Sequence, residues 1–541
     1  MLTKLLPEPW DKVLNLASQV QDENTGSPAA TLIATKWLEN CLGSHRQCNP
    51  EFPINYFPTR VLDVLTTDPV LRENLDSTEP YLALSHRWGT SGLPTTTTAN
   101  IQQRKHSIPI NSLSKTMQDA ITITRNLGFR YLWVDALSII QDSKEDWQRE
   151  ASTMRDVYRR ATLTIAVSAA EDHSEGIFNP RTSRCIRPIR FEEFLMPHSI
   201  RSHYDGDGYL YIFPSTSKSS NGIRPKGPLD ERKWILQEQL LSPRILYYGR
   251  GELFWDCLTV SASESSPISA SLPVDGESAE TWALKIMRRA LALTLNSHLQ
   301  ERHLQEAWLQ VTINYSRRKA TKHSDTLIAI EGVMEGLKDI LHAEPLAGMW
   351  NLGLWRQLTW WIDALPTPIV PNAEPENEAF HSPSWSWLSA HSAISYHNTI
   401  RGKIHDFEDL RPSVEILDFK VDENKSRTNI NGKLRLKGYM FPYRLTKKDL
   451  RKPEMKIWQR IKGNKGRWLL DAPFMGDVDI QCLVLAEDDM MKILVCLCLV
   501  ECEEEERSFR RVGLCHWDGG LELVRNDNGG RAVERRVVTV V

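Results

Sequence analysis

Long apolar segments, an excess of one charge and a cysteine framework are all missing from this chain of 541 residues. The longest apolar run, residues 493–500, is far shorter than the ~20 residues that a transmembrane helix needs. Lys and Arg number 66 against 69 Asp and Glu, a net charge of -3, so no basic field would collect nucleic acid. Nine cysteines in so long a chain do not make a disulfide scaffold. We therefore expect a soluble, cytoplasmic protein that binds no nucleic acid and spans no membrane.

Several catalytic and nucleotide-binding motifs are also absent. The chain contains no GxxxxGK[ST] and no HExxH, which removes support for P-loop nucleotide chemistry and for zinc-protease chemistry. The GxSxG elbow of α/β-hydrolases is missing as well. Without a GxGxxG fingerprint, we expect no bound cofactor, and any NAD contact would be as a substrate.

The residues that are present predict an α/β domain near the N-terminus. Strand-like apolar runs alternate with segments of helical spacing, in the order 81–85 (strand), 112–128 (helix), 130–135 (strand), 143–161 (helix), 161–170 (strand), 229–244 (helix), 244–249 (strand) and 252–257 (strand). The helix over 143–161 begins with a capping-box pattern, Ser143 followed by Asp146. Strands and helices that alternate with short connections predict a parallel sheet.

Composition divides the chain into four predicted segments. They are an N-terminal helical and loop extension (1–78), the α/β domain (79–258), a mostly helical region (259–365), and a Pro-rich loop with a β-rich C-terminal region (366–541). The stretch 261–278 is rich in Ser, Pro and Gly, which is typical of a linker.

Polar residues follow the predicted strands at their carboxyl ends, where open α/β sheets bind ligands. Ser85, Arg87 and Trp88 follow the first strand, and Asp135 and Gln141 follow the second. These five residues are the predicted ligand-binding set. A second interpretation is open, because Ser and Asp at these positions also commonly cap the following helix.

Glu150 lies on the apolar stripe of its predicted helix, close to Trp147 and Met154. A carboxylate in that position must be paired or must face a cavity. It would either be satisfied by an arginine from a neighbouring element, or stabilise positive charge developing on a sugar, as carboxylates do in glycoside hydrolysis.

Two other groups of residues have more ordinary interpretations. Trp234, Gln237 and Glu238 share one helix face, which favours a helix that packs its Trp into the core while Gln237 satisfies backbone groups. The segment 41–48, Cys-x3-His-x2-Cys, offers three zinc ligands, but a structural site needs a fourth and no second closely spaced pair is adjacent. From the sequence we therefore predict packing or capping roles and no metal site.

Three ordered blocks resemble the fungal heterokaryon-incompatibility (HET) domain. They are YLALSHRWG (81–89), LWVDALSIIQDSKEDWQREASTMRDVYRRATLTIAVSAA (132–170) and RKWILQEQLLSPRIL (232–246). The flanking segments WLENCLGSHRQC (37–48), YSRRKATKHSD (315–325), GLW (353–355), PSWSWLS (383–389) and RRVGL (510–514) resemble the usual full-length arrangement. The resemblance therefore covers most of the chain.

The chain departs from the family pattern at three positions. Ser138 stands where the family usually has Cys, and Ile140 where it usually has Asp or Asn. A thiol mechanism at position 138 is therefore excluded. His86 replaces a commoner Tyr.

The resemblance implies self/non-self recognition that ends in growth arrest or cell death when incompatible partners meet, and hence an unidentified incompatibility partner protein. HET domains have been likened to Toll/interleukin-receptor (TIR) domains, some of which cleave NAD, so a TIR-like or flavodoxin-like fold is expected. By that likeness, Trp147 and Glu150 match a Trp-x-x-Glu motif that carries a catalytic Glu.

Two functions from different classes follow from the resemblance. In the first, the protein hydrolyses NAD or a related nucleotide, with Glu150 as the catalytic residue and with Ser85, Arg87 and Trp88 holding the dinucleotide. In the second, the chain has no chemistry and signals by self-association, as a homo-oligomer. A divergent copy without death activity is a third, which the departures at Ser138 and Ile140 favour.

Overall fold

The computed structural model describes residues 3–6, 8–20, 22–50, 56–89, 92–181, 187–190, 209–212, 224–268, 279–292, 301–320, 325–363, 381–396, 410–423, 430–445, 459–460, 466–471, 477–488, 493–502, 507–518 and 533–541. The chain divides into two compact units, Met1–His298 and Leu299–Val541. The first unit contains all the site residues predicted from the sequence. The finer division into four segments stays a prediction.

The first unit has eleven strands and eight α-helices in its described residues. The strands are β1 (Thr3–Leu6), β2 (Arg60–Asp63), β3 (Val70–Glu73), β4 (Tyr81–Ser85), β5 (Tyr131–Trp133), β6 (Leu163–Val167), β7 (Ile189–Arg190), β8 (Tyr209–Ile212), β9 (Arg244–Tyr248), β10 (Leu253–Cys257) and β11 (Ser261–Ser263). The helices are α1 (Glu8–Gln19), α2 (Pro28–Ser44), α3 (Ile101–Arg104), α4 (Lys115–Asn126), α5 (Asp135–Ser138), α6 (Lys144–Arg160), α7 (Lys233–Leu241) and α8 (Ala279–Ala292).

An eight-stranded sheet forms the centre of the first unit, in the order β11-β10-β9-β6-β4-β5-β2-β3. The four middle strands, β9, β6, β4 and β5, pair in parallel, and the strands outside them pair antiparallel. A smaller antiparallel sheet joins β1, β8 and β7. The mixed α/β class predicted from the sequence, with parallel strands in its N-terminal sheet, is confirmed.

Local sequence explains why these elements form where they do. Strands β4 and β6 are buried at every position, and for that reason they read as continuous apolar runs. The Ser143 side chain accepts a hydrogen bond from the Asp146 backbone N–H and caps α6, a contact typically worth about 1 kcal/mol. Gly128 adopts a φ of 80° after α4, a conformation that favours glycine, and ends that helix.

The N-terminal helices pack into the same core as the sheet. Trp37 of α2 stacks on Trp255 of β10 with ring centroids 6.3 Å apart, and its indole N–H donates to the Pro267 carbonyl at 2.8 Å. Helix α2 begins at a Ser27 cap followed by Pro28, the residue favoured at a first helical position. The extension before β4 is therefore part of the first unit.

The stretch predicted as a linker begins as regular structure. Ser261–Ser263 forms the edge strand β11 and pairs with β10. Serine-rich composition suggested a linker, but the short strand is held by its antiparallel partner. Residues 269–278 of that stretch lie outside the described residues.

The second unit begins with helices and ends with a large sheet. Its described helices are α9 (Glu301–Ser316), α10 (Asp325–Leu341) and α11 (Leu354–Gln357). Its described strands are β12 (Pro345–Leu346), β13 (Met349–Trp350), β14 (Trp360–Ile362), β15 (Ile394–Tyr396), β16 (Leu410–Pro412), β17 (Glu415–Glu423), β18 (Ile430–Leu445), β19 (Gln459–Arg460), β20 (Gly466–Leu470), β21 (Val478–Asp488), β22 (Ile493–Glu501), β23 (Ser508–Asp518) and β24 (Glu534–Val540).

The strands from β16 onward form one sheet, which confirms the β-rich C-terminal region predicted from the sequence. Within it, β18, β21, β22, β23 and β24 pair in a closed ring, and residues of β18, β20, β21, β22 and β23 form a buried apolar cluster. Residues 366–380 of the predicted loop over 366–384 lie outside the described residues. Among the helices that the structure describes, none combines the length and the apolar character needed to cross a membrane.

Candidate functional site

The carboxyl ends of the parallel strands bring together residues from distant parts of the sequence. Ser85 is the last residue of β4, and His86, Arg87 and Trp88 follow it directly. Asp135 begins the short helix α5, just after β5. We call the set Ser85, His86, Trp88, Asp135, Tyr158, Arg232 and Glu238 the strand-end cluster.

Trp88 and Asp135, both predicted from the sequence, meet directly. The Trp88 indole N–H donates to Asp135 Oδ2 at 2.8 Å. The other carboxylate oxygen, Oδ1, accepts from the Ala136 backbone N–H at 2.7 Å and lies 3.9 Å from His86 Nδ1. Asp135 therefore contacts the first turn of its own helix and the residues that follow β4.

Glycine after Trp88 allows the chain to turn tightly there. Gly89 has a φ of 74°, in the left-handed region, and a Cβ at this position would lie 1.7 Å from Asp172 Oδ2. No other residue fits without moving the Asp172 side chain.

The carboxyl group of Glu238 lies at the centre of the cluster. Glu238 is on α7 and is only 6% exposed. The Ser85 and Tyr158 hydroxyls lie beside it and favour its ionised form. Its Oε2 atom has no hydrogen-bond partner among the described residues. The Tyr158 hydroxyl also donates to the Leu84 carbonyl at 3.3 Å.

Burial raises the pKa of Glu238 to about 7, and the negative charge of Asp135 adds to the rise. Ser85, Arg232 and Tyr158 oppose it without cancelling it. A carboxyl group with a pKa near neutrality is half ionised at physiological pH, which suits it to acid, base or charge-stabilising chemistry. Of the residues in the cluster, Glu238 has the chemistry that a catalytic carboxylate needs.

His86 is a buried neutral imidazole beside this carboxyl group. Burial lowers its pKa, and the positive charge of Arg232 lowers it further, against the opposing effect of Asp135. Neither ring nitrogen has a hydrogen-bond partner among the described residues. Arg232 donates to the His86 carbonyl at 3.1 Å and so ties the start of α7 to the segment after β4.

Two predicted ligand-binding residues lie at the edge of this arrangement. Arg87 pairs with Glu171 at 3.0 Å and donates to the Pro228 carbonyl at 3.3 Å, with its side chain one-quarter exposed. The Gln141 amide donates to the Asp135 carbonyl at 3.1 Å. Gln141 therefore holds the backbone of α5 in place.

Glu150 lies in a different environment. It is buried on α6, where its carboxylate is 3.3 Å from Arg149 Nε and 3.9 Å from Arg60 Nη1. Burial raises its pKa, whereas Thr59 and Arg60 oppose the rise. These neighbours do not belong to the strand-end cluster, and Arg60 of the neighbouring strand β2 lies 3.9 Å from the carboxylate, beyond hydrogen-bond distance.

Arg60 organises the region around Glu150. It makes two hydrogen bonds to Asp146, at 2.8 and 3.0 Å, and pairs with Glu73 at 2.8 Å. Burial disfavours the negative charge of Asp146, but hydrogen bonds from Arg60 and Ile140 lower its pKa. This is a buried ion-pair network that fixes the start of α6.

Of the three departures from the family pattern, His86 belongs to the strand-end cluster, whereas Ser138 and Ile140 fall outside it. Ser138 is fully buried, and its Oγ accepts from the Val134 backbone N–H at 3.4 Å. The Ile140 backbone N–H donates to Asp146 at 2.8 Å, a contact that needs no particular side chain. Both substitutions therefore leave the cluster itself unchanged.

Sequence reasoning placed Glu238 on a packing helix and did not predict it as a site residue. The available signal was weak: a Glu at the face of an apolar helix, next to Gln237. Its partners Ser85 and Tyr158 are far away in the sequence, so only the fold reveals them.

Comparison with known proteins gives one match. Residues 81–238 match the family model described as "Heterokaryon incompatibility protein (HET)". The matched region begins with β4 and ends at Glu238, so it contains the whole strand-end cluster. No curated protein and no solved structure matches the chain.

Proposed function

We propose that this chain, a HET-domain protein by the match over residues 81–238, is a cytoplasmic effector of fungal allorecognition and regulated cell death. We propose further that it hydrolyses NAD, or a related nucleotide, at the ribose–nicotinamide bond. The observation that carries the enzymatic part is the buried Glu238 carboxyl, whose pKa is about 7. It lies beside residues of β4, α5 and α6, which are far apart in the sequence.

The topology supports a nucleotide at this position. Along the sheet, the parallel strands stand in the order second, first, third, fourth (β5, β4, β6, β9). Flavodoxin-like folds share this order, and they bind a nucleotide where the chain switches sides, next to the first strand. Here that switch lies beside β4, from which Ser85 and Trp88 project into the cluster.

The reaction consumes one water and needs no oxidant. The bond between ribose C1′ and the nicotinamide nitrogen breaks, and its electron pair stays on nicotinamide. Positive charge then develops on the ribose C1′ and ring oxygen, and the ionised Glu238 carboxylate stabilises it, as carboxylates do in glycoside hydrolysis. Water adds to C1′ and releases a proton, so that the products are ADP-ribose, nicotinamide and a proton.

The neighbouring residues supply binding and orientation. Arg87 is partly exposed and carries a guanidinium suited to the pyrophosphate. Trp88 is held by Asp135 and offers an aromatic face to a base or to nicotinamide. Ser85 and Tyr158 position the Glu238 carboxylate. Glu150 stabilises α6 through its arginine contacts. The alternative, in which Glu150 is the catalytic residue, is distinguished by the experiment below.

The test is to incubate the full-length protein, at micromolar concentration, with NAD and to measure nicotinamide and ADP-ribose by chromatography. Glu238→Gln keeps the shape of the side chain but removes its charge, and we expect turnover to fall about 10²–10³-fold. Glu150→Gln is the matched control and should keep most of the turnover. Because the carboxylate is the active form, wild-type turnover should rise with pH through about 7.

Two outcomes would contradict this assignment. Turnover that survives Glu238→Gln but is lost in folded Glu150→Gln would move catalysis to Glu150. The non-enzymatic alternative would be supported if the wild-type protein shows no turnover but kills cells on over-expression, and if the Glu238→Gln variant kills them equally well. That alternative also predicts concentration-dependent self-association in sedimentation experiments.

A further inference from the structure

Three cysteines and a histidine come together at the edge of the first unit's sheet. Two of the thiols and the imidazole belong to the segment at the end of α2, and the third thiol ends β10. We call these residues the thiol–imidazole cluster: Cys41, His45, Cys48 and Cys257. Their four candidate ligand atoms all lie within 4.8 Å of one another.

The fold supplies the fourth ligand that the sequence segment lacks. Cys257 Sγ lies 3.5 Å from His45 Nδ1, although the two residues are 212 positions apart. The strand β10 delivers it, because β10 pairs with β9 near the edge of the sheet and packs against α2. The set becomes Cys3His, one of the recurring ligand sets of structural zinc.

The spacing of the atoms fits tetrahedral zinc. Zinc–sulfur bonds of about 2.3 Å and zinc–nitrogen bonds of about 2.0 Å place neighbouring ligand atoms about 3.5–3.8 Å apart. The observed limit of 4.8 Å, with one pair already at 3.5 Å, is close to that arrangement. Small movements of the side chains would complete it.

The groups around the sulfur atoms donate hydrogen bonds to them. The Val260 backbone N–H donates to Cys257 Sγ at 3.2 Å, and Arg244 Nε lies 3.2 Å from Cys41 Sγ. The Thr259 hydroxyl lies 3.4 Å from Cys48 Sγ. Donors directed at sulfur suit thiolates, and partners of this kind orient the ligands of metal sites.

Charge balance also favours a divalent cation. Three thiolates and a neutral imidazole around Zn²⁺ carry one negative charge in total. Arg244, only 3% exposed, supplies one positive charge and also donates to the Cys48 carbonyl at 2.8 Å. The buried site would therefore be neutral overall, which avoids the cost of an uncompensated charge.

We propose that the thiol–imidazole cluster binds one zinc ion, which fastens the N-terminal helices to the edge of the HET sheet. The ligands come from the end of α2, the turn after it and the end of β10, so the metal joins two segments that are far apart in sequence. Closed sites with four protein ligands serve structure, and metal binding of this kind contributes directly to folding.

The test is elemental analysis of the full-length chain, purified under reducing conditions from cells grown with zinc. We expect about one zinc per chain in the wild type, and loss of the metal in Cys48→Ser. Cys498→Ser removes an equally buried thiol from the second unit and is the matched control, which should keep the metal.

A site that supports folding would leave Cys48→Ser insoluble, so two further measurements use folded protein. Replacing zinc by cobalt in the wild type should give the visible absorption of tetrahedral cobalt bound by thiolates. His45→Cys exchanges one zinc ligand for another and should still bind metal. Three results would each overturn the proposal. They are folded wild type without stoichiometric zinc, a disulfide between two of the three cysteines, and a loss of zinc from Cys498→Ser equal to that from Cys48→Ser.

Discussion

Glu238→Gln should make the protein more stable at alkaline pH and leave its stability unchanged in acid. In the folded state the carboxyl group is 6% exposed, and one of its oxygens has no hydrogen-bond partner among the described residues. Gln has the same shape and can accept from Ser85 through its carbonyl oxygen. The substitution therefore removes mainly the cost of burying a negative charge.

The magnitude follows from the shift in pKa. The pKa of Glu238 rises from 4.5 to about 7 on folding, because burial disfavours the charged form. Below pH 4.5 the group is protonated in both states and contributes no penalty. Between pH 4.5 and about 7 the unfolded state ionises while the folded carboxyl stays protonated, so the penalty grows across this range and levels off above about 7, at about 3 kcal/mol from 1.4 kcal/mol for each pH unit. Glu238→Gln should recover most of that free energy above pH 8.

The assay is urea unfolding of wild type and variant at a series of pH values from 5 to 9. The difference in free energy of unfolding should be below about 1 kcal/mol at pH 5, should grow up to about pH 7 and should then level off. Asp146→Asn is the control of opposite sign, because Arg60 lowers the pKa of Asp146 below 3.8, so this variant should be destabilised by the same amount at every pH from 5 to 9. A Glu238→Gln effect that does not change with pH would refute the conclusion that burial raises the pKa of Glu238.

Two further predictions test packing, at Arg511 in the second unit and at Gly227 in the first. Arg511 is buried and pairs with Asp471 at 2.9 Å, so Arg511→Met should destabilise the second unit by about 3–5 kcal/mol in urea unfolding. Adding Asp471→Asn to the same chain should restore part of that stability. A Cβ on Gly227 would lie 2.0 Å from the Ser168 carbonyl oxygen, so Gly227→Ala should lower stability by about 1–3 kcal/mol in thermal unfolding, whereas Gly251→Ala, with open space around it, should be nearly neutral. Equal effects of the two alanine substitutions would contradict this packing.

Much of the N-terminal fold could be predicted because its signals are local. The apolar run that forms β4 and the cap at Ser143 depend only on neighbouring residues, so the sequence carries them in full. The edge strand β11 was missed for the opposite reason. Its serines have little strand propensity, and its pairing with β10 supplies the structure.

The candidate site was only partly predictable. The rule that ligands bind at the carboxyl ends of parallel strands identified Trp88 and Asp135, which the structure joins by a hydrogen bond. Cys257 could not be assigned to the segment 41–48, because the contact depends on where β10 lies in the sheet. Spacing in the sequence detects ligands that share a turn, and it misses a ligand that a distant strand delivers.

The two buried glutamates differ in where they lie and in how far their burial is compensated. Glu150 and Glu238 both lie on helices that pack against the sheet, and both have a raised pKa because they are buried. At Glu150, Thr59 and Arg60 oppose the rise, and the carboxylate lies in the ion-pair network around Arg60. At Glu238, Ser85, Arg232 and Tyr158 oppose it only in part, which leaves the pKa at about 7 and one oxygen without a hydrogen-bond partner among the described residues. Glu238 also lies at the carboxyl ends of the parallel strands, and this combination is the physical reason for proposing the chemistry there.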